Sequence, residues 1–549
     1  MILTKSLSKH IYLSQLVLAI IPVLYFLASL IALSNYGCFY QRITDPEYFH
    51  LLNGINLALF NLATPYIDHP GTVLQVIVAI SSWPVSIGIQ GFIADNVVDN
   101  PELFLKAAIV LMNIIVTYVL FVVGRMVFSS TKNIWDSLII QLMPFGNIYA
   151  LNVFGRLTPE SFMIVPILLL SVILIVYLNT NSQKTLTRKQ IIYLAMIGGL
   201  GMAIKFSYLP FLVIPIFVIN SFKRIIKYSL LSISFTLLFA FPILFNLSKS
   251  ISWFGNMFVK SGHWGDGKSI FIEWAEIPHR LQLLLNLNYL LPILLVLLIV
   301  IASYVYFVSR RKRQELRKLN LITVGIISGI LLSVFLITKH FAYRYYFPTL
   351  LFQVVLIYLI IEYASRLFWN KTSRKYISSI GFGILLLFIV WQLPDLKKKI
   401  NQIAIDHQQY AERSDIIQNS RNENIPLIIS SYYAGCPFPE FSLNNAYLLC
   451  GNLKTTFSEK LRNKYPRSIF YVSWSDKFFH WNHFWEAKEF IESEKGAYVF
   501  IGQENEKDLD VILARLKKSF PDYSVTNNLV HHFRNPEEYY YKIELVATE

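Results

Sequence analysis

Residues 11–33 read IYLSQLVLAIIPVLYFLASLIAL, an apolar run without a single charge, and the acidic stretch Asp45-Pro46-Glu47-Tyr48 follows it. A bilayer core of about 30 Å takes roughly 20 residues of helix, so this run is long enough to cross. It is too long for a cleaved signal peptide, and no small-residue cleavage site follows a short apolar core. The run therefore reads as a retained transmembrane helix. Outward from it, comparable runs recur near 104–127, 134–151, 160–178, 190–206, 207–220, 227–247, 284–308, 319–338, 344–366 and 376–394, eleven in all. Hydrophobic residues make up 54% of the 549 and charged residues only 15%, a balance that soluble domains cannot bury. The fold class expected is an α-helical polytopic membrane protein.

A net charge of +15 would ordinarily raise the question of nucleic acid. The location of the cations answers it. They sit in short connections: Lys5 and Lys9; Arg125 and Lys132; Lys184, Arg188 and Lys189; Lys223, Arg224 and Lys227; Arg310 to Lys318; and Arg366, Lys371, Arg374 and Lys375. The positive-inside rule places all of these in the cytoplasm, and no nucleic-acid partner is expected. An odd number of spans then puts the N-terminus inside and residues 395–549 outside, in a multi-pass protein of the plasma (inner) membrane. The transmembrane portion is 1–394, with a long first outer loop at 34–103.

One apolar stretch, 72–92, is held out of the count. As a full crossing it would carry the acidic loop 95–102 inside and invert every basic loop after it. Gln75, Ser81, Ser82, Trp83, Pro84 and Ser86 suit an interfacial or re-entrant helix. The alternative is an ordinary span followed by an exceptional loop. Beyond 395 the composition becomes that of a soluble domain. Strand-like runs at 426–430, 468–472, 497–502 and 539–545 alternate with helical patterns at 483–493 and 506–519, an α/β arrangement. Three cysteines leave room for one disulfide, Cys436 to Cys450, in an oxidising compartment.

On this topology, ionisable residues that look out of place collect at outer helix ends and in outer loops: Asp45, Glu47, Asp68 and His69; Arg156 and Glu160; the loop 246–283 with His263 and Asp266; and Lys339, His340 and Arg344, followed by Tyr345 and Tyr346. A hydroxyl attacking a sugar carbon needs a carboxylate base within hydrogen-bond reach, and Asp45 suits that role. A lipid-phosphate leaving group needs fixed positive charge where bilayer meets water, and Arg344 with Lys339 suits that one. Taken singly, each cation also reads as a snorkelling side chain anchoring a helix end. Lys205 ends a small-residue helix, Gly198-Gly199-Leu200-Gly201, whose glycines permit close helix contact. Asp68 reads first as the cap of the helix after it. His263 with Asp266 would suit a divalent cation, but spacing this loose reads first as a solvated histidine in a flexible loop; no other cofactor is expected. There is no Walker loop, dinucleotide fingerprint or His-Glu-x-x-His helix.

The order of these parts resembles the polytopic lipid-carrier-dependent glycosyltransferases of the GT-C superfamily, including the protein O-mannosyltransferases (glycosyltransferase family 39-like) and the aminoarabinose transferases. Asp45 with Glu47 matches the family's acidic residue after the first helix. His69-Pro70-Gly71 matches a His-Pro-Pro-like motif, and Gly155-Arg156-Leu157-Thr158-Pro159-Glu160 matches a Gly-Arg-x-x-x-x-Glu-like turn. Lys205 closes the Gly-rich helix, and Arg344-Tyr345-Tyr346-Phe347-Pro348 matches a basic-aromatic-proline stretch. Two departures, Pro46 splitting the acidic pair and Gly71 in place of a proline, bear on the subfamily and so on sugar and acceptor. The resemblance implies transfer of a sugar from a polyprenyl-phosphate donor to a lipid, glycan or protein acceptor. Asp45 would be the general base, with Glu47 beside it. His69, Arg156, Glu160, Lys205, Lys339, Arg344 and Tyr346 would bind substrate. The alternatives are a transporter or flippase, or a polymerase of envelope polysaccharide.

Overall fold

The computed structural model describes residues 2–41, 45–67, 70–148, 153–180, 185–261, 270, 272–308, 314–368, 371–431, 435–473, 475–491, 496–503 and 505–548. The chain is an α-helical polytopic membrane protein with a C-terminal α/β domain. Among the described residues eight helices are long and apolar enough to cross a membrane: Leu13–Tyr36, Thr72–Ile89, Pro101–Thr131, Pro159–Asn179, Leu290–Phe307, Arg317–Lys339, Tyr343–Leu367 and Arg374–Ser420. Phe222–Phe239 and Phe241–Val259 add one more if taken as a single span bent by 83°.

This differs from the eleven runs of the sequence, chiefly because proline interrupts several of them. The run at 134–151 becomes the short helix Ile134–Gln141 and a 3-10 turn, Met143–Phe145, around Pro144. The run at 207–220 is a 3-10 stretch, Phe206–Val213, containing Pro210, then Ile214–Val218 with Pro215 in its first turn. Pro242 lies in the 3-10 turn Phe241–Asn246 at the 83° bend. A proline lacks the N–H that an uninterrupted helix needs and crowds the preceding turn. Thr72–Ile89, held out of the count as interfacial, is long and apolar enough to be a span.

The chain divides into two compact units. The first comprises Met1–Leu33, Ile67–Leu74 and Ile109–Lys398. Close approach within it is set by small residues: a Cβ on Gly199 would lie 2.7 Å from the backbone of Thr236, so Arg188–Ile204 packs directly on Phe222–Phe239. Three of its helices carry polar anchors at both ends. Lys318 Nζ donates to Thr180 O at 2.8 Å, while Lys339 closes the same helix. Glu362 and Asp136 are buried, and Arg374 bridges them, at 3.0 Å from Asp136; Arg366 reaches Glu362 at 2.8 Å. Arg366 and Arg374 are thus ion-paired, not simply solvated loop cations. From Lys318 to Lys339, Glu160 to Asn179, and Tyr345 to Glu362, the helical rise gives about 26 to 31 Å, the thickness of a bilayer core.

The second unit comprises Ser34–Tyr66, Gln75–Ala108 and Lys399–Glu549, so much of the 34–103 stretch clusters with the C-terminal domain. Within it Glu47–Ala58 packs on Pro439–Tyr447, and Lys464 meets Asp99 at 3.0 Å. The domain holds seven strands: β1 (Leu427–Ser430), β2 (Ser468–Val472), β3 (Lys477–His480), β4 (His483–Trp485), β5 (Ala497–Ile501), β6 (Tyr523–Arg534) and β7 (Glu537–Ala547). Their order is β4-β3-β2-β1-β5-β7-β6, parallel at β2-β1-β5 and antiparallel outside. Strand β1 is buried throughout, as parallel strands covered on both faces are. The helix expected at 506–519 forms as Asp508–Ser519. The helix expected at 483–493 does not: β4 and a 3-10 turn, Ala487–Glu489, stand there, because Phe479 and Phe478 pair across to Phe484 and Trp485. Cys436 and Cys450 are buried free thiols, so the disulfide considered for them is absent; Cys450 Sγ instead donates to Tyr447 O at 2.8 Å.

His480, at the end of β3, is buried. It stacks on Trp485 at 4.0 Å, with Nδ1 donating to Ser468 O at 3.1 Å. Burial pushes its pKa down to about 4, so it is neutral in the fold while the unfolded chain titrates near 6.5. The unfolded state therefore binds the extra proton between those values, and stability is lost as pH falls from about 6.5 towards 4. Hydrogen exchange of the β2 and β3 amides in the full chain should show that loss, and H480F should flatten it.

Candidate active site

In the first unit the chemistry gathers where five helix ends meet. Thr158 caps Pro159–Asn179, accepting from Ser161 N at 3.4 Å, which places Glu160 in the first turn, where the helix dipole favours a carboxylate. Arg188–Ile204 ends at Lys205, whose extended backbone turns the chain into the 3-10 stretch while its N–H still bonds Gly201 O at 3.0 Å. The Lys205 ammonium and the Glu160 carboxylate form an ion pair, with side-chain exposures of only 2% and 6%. Lys205 Nζ also lies 4.7 Å over the Tyr345 ring, and the Arg344 guanidinium lies 5.7 Å over the same ring. Tyr345 and Arg344 stand in the first turn of Tyr343–Phe368.

Lys339 and His340 arrive from the end of Arg317–Lys339. Lys339 Nζ donates to Met257 O at 2.9 Å and Phe258 O at 2.6 Å, and His340 Nε2 donates to Met257 O at 2.7 Å. They satisfy the terminal carbonyls of the amphipathic helix Leu247–Val259, where a cation is favoured. Between these groups lies a cavity of about 140 Å³. Lys205, Lys339 and His340 contribute its polar wall, and Phe206, Met257 and Leu336 are among its apolar lining.

Glu160, Lys205, Lys339 and Arg344 are thus brought to one place. Tyr345, not Tyr346, lines the cavity; Tyr346, about 100° further round the helix, is buried and does not. Arg156, half-buried, follows a turn in which a Cβ on Gly155 would lie 2.9 Å from the Ala32 backbone, and it is not among the cavity residues. Its carbonyl accepts from Ser161 Oγ at 3.0 Å.

Asp45 and Glu47 belong to the second unit. Asp45 is half-buried, and Tyr66 donates its hydroxyl to Asp45 Oδ1 at 3.0 Å. Glu47 begins the helix Glu47–Ala58 and is fully buried. Glu102, passed over in the sequence as one acid of an exposed loop, accepts from Phe39 N at 3.0 Å, Tyr40 N at 3.3 Å and Tyr48 Oη at 2.9 Å. Backbone donors carry no side-chain signature, and its only sequence mark is its place in the first turn of Pro101–Thr131. His69 and Asp68, and the pair His263 and Asp266 considered for a divalent cation, lie outside the described residues. Among the described residues no three His, Cys, Asp or Glu side chains gather as metal ligands would.

No protein-family model and no curated protein matches the sequence. Solved structures do. The chain is similar to ArnT from Cupriavidus metallidurans. The apo crystal structure of that protein aligns over 95% of this chain and 97% of its own, at 12% identity and a TM-score of 0.49. The crystal structure of ArnT bound to undecaprenyl phosphate aligns over the same shares, at 10% identity and a TM-score of 0.48.

The cavity itself indicates what it suits: apolar walls accept hydrocarbon, and clustered cations accept an anionic head. The ion pair beneath it is a structural liability if broken. K205M leaves Glu160 buried without its partner and should cost about 3–5 kcal/mol, read from thermal unfolding in detergent. K205M/E160Q should recover most of that loss, because no unpaired charge remains.

Proposed function

We propose that this chain is a membrane glycosyltransferase that moves a sugar from a polyprenyl-phosphate donor to an acceptor hydroxyl at the outer face. The observation that carries the reading is the cavity between Lys205 and Lys339, where buried cations adjoin apolar walls at the end of a helix bundle. An amphiphile with a phosphate head matches both halves. The order of motifs from Asp45 to Pro348 supports the same reading.

In the reaction proposed, the acceptor oxygen attacks the anomeric carbon as the bond from that carbon to the phosphate oxygen breaks. Asp45 takes the acceptor proton, and the anomeric configuration inverts. The carrier phosphate leaves with the bonding pair, and Lys205 and Arg344 stabilise its added charge. Glu160 holds Lys205 in place through the ion pair, and Tyr345 lies under both cations. Glu47, buried at the start of its helix, supports the segment that carries Asp45. His69, from the His-Pro motif, would contribute to substrate binding, and Arg156, outside the cavity, steadies the start of Pro159–Asn179 through its carbonyl, which accepts from Ser161 Oγ at 3.0 Å. The N-terminus is cytoplasmic and the C-terminal domain extracytoplasmic, in the plasma membrane.

A transporter or flippase would place ionisable groups near the middle of its spans. Here the charged clusters around Lys205 and around Glu362 lie at opposite ends of Tyr343–Phe368. Purified protein incubated with labelled polyprenyl-phosphate sugars should release carrier phosphate. The assay is run with and without chelator, since His263 and Asp266 would be the cation ligands. D45N should lower turnover by 10²- to 10⁴-fold with folding intact, the contribution expected of a general base. Full transfer by D45N would remove Asp45 from that role, and substrate uptake into vesicles without turnover would favour transport.

A further inference from the structure

Asp45 is held by one neighbour that the sequence motifs do not include. Tyr66 Oη donates to Asp45 Oδ1 at 3.0 Å, and Asp45 Oδ2 has no hydrogen-bond partner among the described residues. A carboxylate with one oxygen pinned is oriented for proton transfer through the other, because rotation about its last bond would break the pin.

Tyr66 is itself fixed from several sides. It is 5% exposed, and its ring stacks on Phe49 at 5.0 Å with the planes 17° apart. His50 meets the same ring edge-on at 5.3 Å. Its carbonyl accepts from Gln75 Nε2 at 2.8 Å, and Gln75 is fully buried in Thr72–Ile89. Phe49 and His50 lie on Glu47–Ala58, the helix that starts just after Asp45. The same helix thus locates the carboxylate and the ring that orients it. A tyrosine needed only to fill this core would be served by phenylalanine; the hydroxyl adds nothing to the stacking and reaches Asp45.

We propose that Tyr66 is the positioning residue of Asp45, holding Oδ1 so that Oδ2 faces the acceptor hydroxyl. This rests on the reading of Asp45 as general base. Tyr66 does not touch substrate in this role; it acts through the carboxylate.

The test is Y66F in the full-length protein, assayed with a polyprenyl-phosphate sugar. Because the ring and its stacking remain, the unfolding midpoint should stay at that of the unmodified protein. Turnover should fall about 10- to 100-fold, the cost of a misplaced reacting group, with KM for the donor unchanged within twofold. F49L is the packing control: it should lower the unfolding midpoint and leave kcat closer to normal than Y66F does. Turnover of Y66F within twofold of normal would overturn the proposal, as would a loss carried by KM or by unfolding. If D45N proves fully active, the base assignment fails and Tyr66 falls with it. If D45N is inactive while Y66F is fully active, the base stands and the positioning role alone is wrong.

Discussion

The buried ion pair between Lys205 and Glu160 constrains much of the arrangement around it. Two charges taken out of water are stable only if they are paired and their remaining valences are met. That requirement brings the end of Arg188–Ile204 to the start of Pro159–Asn179, and the Tyr345 ring beside the ammonium adds the start of Tyr343–Phe368. Lys339, at the end of a fourth helix, Arg317–Lys339, ties in a fifth by capping the carbonyls of Met257 and Phe258. Each of these cations also does what any lysine at a helix end does. Their concentration around one cavity distinguishes them from isolated snorkelling side chains, since a single anchor needs no apolar chamber beside it.

The opposite ends of the same helices carry the complementary constraint. Asp136, Glu362, Arg366 and Arg374 tie three helices there, and Lys318 holds the Tyr177 and Thr180 carbonyls. The span between the two polar layers matches the bilayer core, so the intervening helix surfaces can remain apolar. A helix fixed at both ends cannot slide by a turn without unpairing a buried charge. That fixes the height of Lys205, Lys339 and Arg344 relative to one another, the property an anion site needs.

Much of this was legible in advance. Glu160, Lys205, Lys339 and Arg344 were recognisable as charges at helix ends because in an apolar chain any charge at such a place must be explained. The α/β character of the C-terminal domain showed in the strand-like runs at 426–430, 468–472 and 497–502, while their parallel pairing did not. What stayed hidden depends on partners far away in sequence. The segment at 483–493 has a helical pattern, and cross-strand pairing with Phe478 and Phe479 overrides it. Glu102 looks like a solvated acid until the backbone of Phe39 and Tyr40 turns its N–H groups towards it. Tyr66, one aromatic among many, gains its meaning from a contact 21 residues back.

By itself the sequence determined that this is a membrane protein, where its apolar runs lie and which of its charges stand at helix ends, because burial of apolar surface and exclusion of charge from lipid act on composition and order alone. Only the tertiary structure decided which runs are broken, which charge meets which, and that Tyr345, not Tyr346, faces the cavity. The reason is geometric. Successive helical residues point about 100° apart and proline breaks depend on what packs around them, so neighbours in sequence diverge in space, while Lys205 and Glu160, 45 residues apart, meet.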